Sequence, residues 1–104
     1  MKVEITEYAK IELRNMIEML ENARAGLGYR LRAEFQTVLD NLERAPQLYS
    51  LTDDGIRGLE TRNAIIERFQ IRVVYLVLPG EVKILSIIDG RRRPGSWLGA
   101  LSEV

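Results

Sequence analysis

The 104-residue chain contains no histidine and no cysteine. Without cysteine there is no disulfide framework and no thiolate metal site. Without histidine the commonest acid–base group near neutral pH is absent, as is the commonest metal ligand. We therefore expect no metal and no cofactor. No apolar stretch approaches the ~20 residues that span a bilayer. The opening residues Met1 to Glu7 lack the apolar core of a signal peptide, so a cytoplasmic protein without membrane association is expected. Net charge is missing too, since 15 basic and 15 acidic side chains cancel. That balance argues against indiscriminate nucleic-acid binding, which rests on phosphate neutralisation.

What is present is a 46% apolar composition, enough for one modest core, and a single domain over residues 1–104. The neutral total hides an uneven distribution. Residues 1–60 carry 8 basic and 11 acidic groups, and residues 61–104 carry 7 and 4. An acidic N-terminal part thus precedes a basic C-terminal part.

The patterning predicts the order β-α-α-β-β-β. Lys2 to Ile5 alternates as a short strand. Thr6 reads as an N-cap with Glu7 in the first turn. The stripe Ala9, Leu13, Met16, Ile17, Leu20 and Ala23 predicts a helix to about Ala25, stopped by Gly26 and Gly28. Leu31, Phe35, Val38, Leu39 and Leu42 predict a second helix ending at Ala45, before Pro46. Two amphipathic helices joined by so short a break form an antiparallel helical hairpin. Gln47 to Gly55 reads as a loop with an Asp-Asp-Gly turn, and Ile56 to Thr61 and Ala64 to Ile66 as strand-like. Phe69 to Leu78 and Val82 to Ile88 flank Pro79-Gly80 as a β-hairpin. The class is α+β, a helical hairpin packed on a small, mostly antiparallel sheet.

Setting Leu78 opposite Glu81 sorts the hairpin into two faces. Phe69, Ile71, Val73, Tyr75, Val77, Val82, Ile84, Ser86 and Ile88 share one; Val74, Leu76, Leu78, Leu85 and Ile87 share the other. Both are apolar, yet one helical hairpin covers one face. An uncovered apolar face marks a partner site, unless loops and the C-terminal tail fold over it.

Several elements together resemble the RelE/ParE family of bacterial toxins, over nearly the whole chain. They are Tyr8-Ala9 at a helix start, Phe35 in the second helix, Leu42 to Pro46, and Gly55-Ile56-Arg57. Phe69, Arg72, Val73 and Tyr75 follow in one strand, and the close is V-K-I-L-S-I-I-D-G-R-R-R-P. The resemblance implies the fold of that family and a type II toxin neutralised by an antitoxin protein in a hetero-oligomer. RelE-like members cut messenger RNA on the ribosome, whereas ParE-like members poison DNA gyrase.

RNA cleavage through the 2′-hydroxyl needs a base, cations for the phosphate, and an acid for the leaving oxygen. The cations on offer are Arg57, Arg62, Arg68, Arg72, Lys83 and Arg91 to Arg93. The family's histidine before the arginines is Asp89 here, which its guanidinium neighbours weaken as a base and which reads best as an ion-pair partner. Glu67, beside Arg68, is the other candidate base. Trp97 stands near the position of a C-terminal Tyr or His in RelE-like members, but an indole donates no useful proton. It reads first as packing for the tail. Tyr75 lies in an apolar run and reads as a core tyrosine.

The expectation is accordingly a ParE-like gyrase inhibitor with no assured catalytic residue. The alternatives are a ribosome-dependent endoribonuclease using Arg92, Asp89 and Glu67, and a toxin-fold binding module without toxicity. Target contacts are assigned to Arg91, Arg92, Arg93 and Trp97. Antitoxin contacts are assigned to Val74, Leu76, Leu85 and Ile87.

Overall fold

The computed structural model describes residues 1–90 and 97–99. Strand β1 (Lys2–Ile5) leads into helix α1 (Glu7–Ala23), with Thr6 as the N-cap. The Thr6 hydroxyl oxygen accepts from the Ala9 N–H at 3.2 Å, and the Thr6 hydroxyl lies 3.0 Å from the Ile84 carbonyl. One side chain therefore starts the helix and ties it to the sheet.

Helix α2 (Leu27–Arg44) follows after three residues. Gly26 caps it with φ 93°, a left-handed geometry that glycine adopts without strain. The Glu21 carboxylate accepts from the Gly26 and Gly28 N–H groups at 2.9 and 3.0 Å, satisfying two orphan donors of α2. Gly28 does not stop α1 as the sequence suggested. It lies inside α2, where a Cβ would sit 2.6 Å from the Ile17 carbonyl oxygen. Its missing side chain is what lets the two helices close on each other.

Five strands form one sheet in the order β1-β5-β4-β3-β2. They are β2 (Ser50–Leu51), β3 (Thr61–Ile66), β4 (Ile71–Leu78) and β5 (Glu81–Asp89), besides β1. β1 runs parallel to β5, and the other pairs are antiparallel. Three boundaries differ from the pattern reading. Ile56 to Glu60 is turn rather than strand, β2 interrupts the predicted loop, and Phe69 ends a one-turn 3₁₀ helix (Glu67–Phe69). That turn closes through Gln70, whose φ of 55° reverses the chain into β4.

Leu78 does pair with Glu81, as expected, but the register shifts farther along. Val74 pairs with Ser86 and Tyr75 with Ile84, so Leu85 is an extra residue, a β-bulge. A bulge reverses the alternation beyond it. Ile87 therefore joins the core beneath the helices with Val73, Tyr75, Val82 and Ile84. Ile88 instead joins Val74, Leu76 and Leu85 on the opposite face. The assignment of Ile87 and Ile88 to faces is thus exchanged relative to the sequence reading.

The second face is not bare. Trp97 packs against Val74, Leu76, Leu85 and Ile88, and all five are buried. Removing each large apolar side chain from water contributes about 1.5–3 kcal/mol, which is the force holding Trp97 on the sheet. Among the described residues, no helix is long and apolar enough to cross a membrane.

Candidate functional site

Arg72 sits at the centre of the site, on β4, opposite Ile88 and therefore on the second face. A guanidinium amid apolar neighbours must find partners or stay hydrated. It finds three bonds. Its Nη1 and Nη2 donate to the two carboxylate oxygens of Asp54 at 3.1 and 2.9 Å, and its Nε donates to Asn63 Oδ1 at 2.8 Å. The paired side chains are only 12% and 9% exposed.

Asp54 belongs to the turn between β2 and β3. Gly55 allows that turn to lie flat against β3, because a Cβ there would overlap the Thr61 hydroxyl oxygen. The hydroxyls of Thr52 and Thr61, 2.7 Å apart, fasten the same turn. The carboxylate so placed also accepts from the Trp97 indole at 2.9 Å. One carboxylate thus ties the turn, β4 and the tail residue together. A bidentate guanidinium–carboxylate pair is geometrically demanding, so the three segments are locked in one arrangement.

The other predicted cations separate into two groups. Arg62 bonds Glu60 at 2.8 Å and the Tyr49 carbonyl at 2.7 Å, and Lys83 pairs with Glu4 at 3.2 Å. Arg57 lies exposed in the turn before β3. Arg68 is also exposed, 5.9 Å from the centre of the Phe69 ring. Arg91, Arg92 and Arg93 lie outside the described residues.

Tyr75 is a core residue, as its setting in an apolar run implied. Its hydroxyl donates to the Pro46 carbonyl at 2.7 Å, and its ring meets Tyr49 edge-on at 6.5 Å. Burial pushes its phenol up to about 12. It holds its proton at any physiological pH.

The candidate bases come to the same end of the sheet. Ile66, just before Glu67, and Asp89 both pair with Ile71 of β4. The two acids therefore lie at the same end of the sheet, on either side of that strand. Glu67 is exposed on the one-turn helix, and Asp89 is half-buried at the end of β5. Among the described residues, no cluster of three or more acidic, His or Cys side chains is placed to hold a metal.

Of the residues assigned to partner contacts, Val74, Leu76 and Leu85 are together on the second face but buried under Trp97, and Ile87 lies on the helix side. Trp97 is fully buried, so its indole is an internal strut. The residue that sequence reasoning missed is Asp54. Its only signal was the Asp-Asp-Gly turn, which gives no hint of a partner 18 residues on.

Among solved structures, the fold matches a chain of the chromosomal ParDE TA system from P. aeruginosa with a TM-score of 0.71. That match is 16% identical and covers 86% of this chain and 95% of the other. The isolated E. coli RelE toxin matches with a TM-score of 0.63 and 17% identity, over 97% of this chain and 95% of its own. The fold is therefore the RelE/ParE toxin fold, two helices on a five-stranded mixed sheet. No protein-family model and no curated protein matches the sequence.

Proposed function

We propose that this chain is the toxin of a bacterial type II toxin–antitoxin system, of the ParE-like kind that inhibits DNA gyrase, and that an antitoxin protein neutralises it in a hetero-oligomer. The fold shared with a ParDE system and a RelE toxin supports the first part. The gyrase reading rests on the want of a proton carrier for cleavage: the chain has no histidine, the position near the C-terminus holds Trp97, and the side chains around β4 are already engaged. Arg72 is committed to Asp54, Tyr75 to the Pro46 carbonyl, and Trp97 to Asp54 and the sheet. A phosphate-cleaving site needs cations and proton carriers free to meet substrate. Target contact then falls to the arginines that follow β5, with Arg92 foremost.

The test compares two activities of the purified protein. It is expected to inhibit gyrase supercoiling, or trap cleaved DNA, with no ribosome present, and to leave messenger RNA intact in a translation mixture. Arg92→Ala is expected to abolish gyrase inhibition and growth arrest while the protein still folds, checked by a cooperative thermal transition. Specific cleavage of ribosome-bound message would replace this reading with the endoribonuclease one, with Asp89 or Glu67 as base and Arg92 at the phosphate.

A further inference from the structure

Helix α1 has two faces with apolar residues, and the core uses one of them. Ala9, Leu13, Met16, Ile17 and Leu20 pack into the core beneath the helices. On the other side Tyr8, Ile11, Asn15, Met19 and Asn22 follow one another at three- and four-residue steps, so they form one strip. All five are exposed, and Ile11 and Met19 keep 50% and 63% of their surface in water. Single exposed apolar side chains are ordinary, but three aligned on one helix face make a strip that a partner can cover.

The strip is symmetric about its middle. Ile11 lies four residues before Asn15, and Met19 lies four after. An antiparallel copy of α1, related by a twofold axis at Asn15, therefore sets Ile11 against the second copy's Met19, and the reverse. The two Asn15 amides then meet at the axis. An amide both donates and accepts, so it can pair with its own copy, and a polar residue in a helix seam fixes the register.

The flank of the strip carries a second observation. Arg14 and Glu18 are exposed, one helical turn apart, and neither enters an ion pair among the described residues. Pairing within the helix is less favoured in this order than with the acid first. In the antiparallel pair both residues lie on the same side. Arg14 and the second copy's Glu18 then fall within about 3 Å of each other along the helix axis, at the usual rise per residue. Symmetry makes that contact twice.

We propose that this chain associates with a second copy of itself through the outer face of α1, the two helices running antiparallel about Asn15. The strip complements itself in the order of its side chains and in its flanking charge, which selects a second copy over a different chain. The contact is isologous, so it closes at the dimer. Two helices of 17 residues make a small interface, and the affinity is expected to be micromolar or weaker. This inference stands apart from the toxin reading, because it rests on α1 alone.

The test uses the full chain at low salt, where exposed charges are least screened. Sedimentation equilibrium is expected to show monomer and dimer and no larger species. Met19→Glu, at an exposed position, is expected to weaken the dimer roughly tenfold or more. Arg14→Glu and Glu18→Arg each make both cross-helix contacts repulsive, and each alone is expected to weaken it roughly tenfold. An equimolar mixture of these two variants is expected to restore association, because every such contact in the mixed dimer joins opposite charges. Pairing within one helix predicts no such rescue. The chain has no cysteine, so Ile11→Cys and Met19→Cys report the direction of the helices. Their mixture is expected to form the mixed disulfide under mild oxidation. Neither is expected to link to itself, since identical positions lie about 12 Å apart along the axis. The proposal is overturned if the chain stays monomeric at about 1 mM, or if species larger than the dimer form. It is equally overturned if Met19→Glu leaves association unchanged, if mixing the charge variants restores nothing, or if the mixed disulfide is not preferred.

Discussion

Replacing Asp54 by Ala tests how the tail is held. The change leaves the Arg72 guanidinium, 12% exposed, with only its Nε bond to Asn63, and it strands the Trp97 indole N–H. Breaking one side of a buried ion pair costs about 3–5 kcal/mol, because the remaining charge stays buried without compensation. The orphaned indole adds on the order of 1 kcal/mol, though contacts sharing one carboxylate do not sum fully. A domain of this size is stable by roughly 5–15 kcal/mol. The loss is therefore a large part of the total, and the fold is expected to survive weakened.

Urea unfolding gives the number directly. With a slope of about 1–1.5 kcal/mol per molar, the midpoint is expected to fall by roughly 2–5 M. Trp97 is the only tryptophan, so its fluorescence reports the same site. Its emission is expected to move to the red in Asp54→Ala as the indole leaves the sheet. Trp97→Phe keeps most of the packing and the ion pair, and is expected to cost about 1–2 kcal/mol. The double change Asp54→Ala with Arg72→Met removes both charges and is expected to recover much of the loss, since apolar replacement of a buried pair is often neutral. A loss below about 1 kcal/mol with unchanged emission would refute the claim that Asp54 locks the tail.

Three further outcomes follow from particular contacts. Gly28→Ala drives a methyl into the Ile17 backbone carbonyl; it is expected to cost about 1–3 kcal/mol, visible as a lower melting temperature in calorimetry. Tyr75→Phe leaves the Pro46 carbonyl without its donor and is expected to cost about 1–2 kcal/mol. In the parent protein the raised phenol means that folded stability falls as pH rises from the ordinary tyrosine value of 10.0 toward about 12, and this component is expected to vanish in the variant. The Glu21 carboxyl is held below its ordinary value chiefly by the Gly26 N–H; its contribution is present above the ordinary carboxylate pKa and lost as pH falls through the lowered one, so acid unfolding of Glu21→Gln is expected to show a shallower pH dependence.

Local chemistry made much of this fold readable. The Thr6 cap, the Pro46 boundary and the Pro79-Gly80 turn each act over a few residues, and Gly80, at φ 76°, sets the Leu78–Glu81 pairing that the sequence predicted. The bulge at Leu85 was not readable for a physical reason. Val82 to Ile88 is apolar on both sides apart from Lys83 and Ser86, so no alternation of polar and apolar residues recorded the change of phase. The face assigned to Ile87 inverted as a result. The site failed to show itself for a different reason: an ion pair between Asp54 and Arg72 depends on where a turn lands after the sheet has formed. In the sequence Arg72 stood as a candidate cation in an apolar strand, and Asp54 as part of an ordinary turn.

That same ion pair alters what the double apolar face means. Read from sequence, Val74, Leu76 and Leu85 called for a partner, or for cover by loops and the tail, because one helical hairpin cannot cover two faces. The chain supplies its own cover in Trp97, and Asp54 fixes it there. Apolar burial alone is non-directional and would permit the indole several positions on so uniform a surface. The hydrogen bond from its Nε1 selects one of them, and the bidentate contact to Arg72 selects the position of the carboxylate that makes it. A partner that needs the second face must displace the indole and break the bond to Asp54.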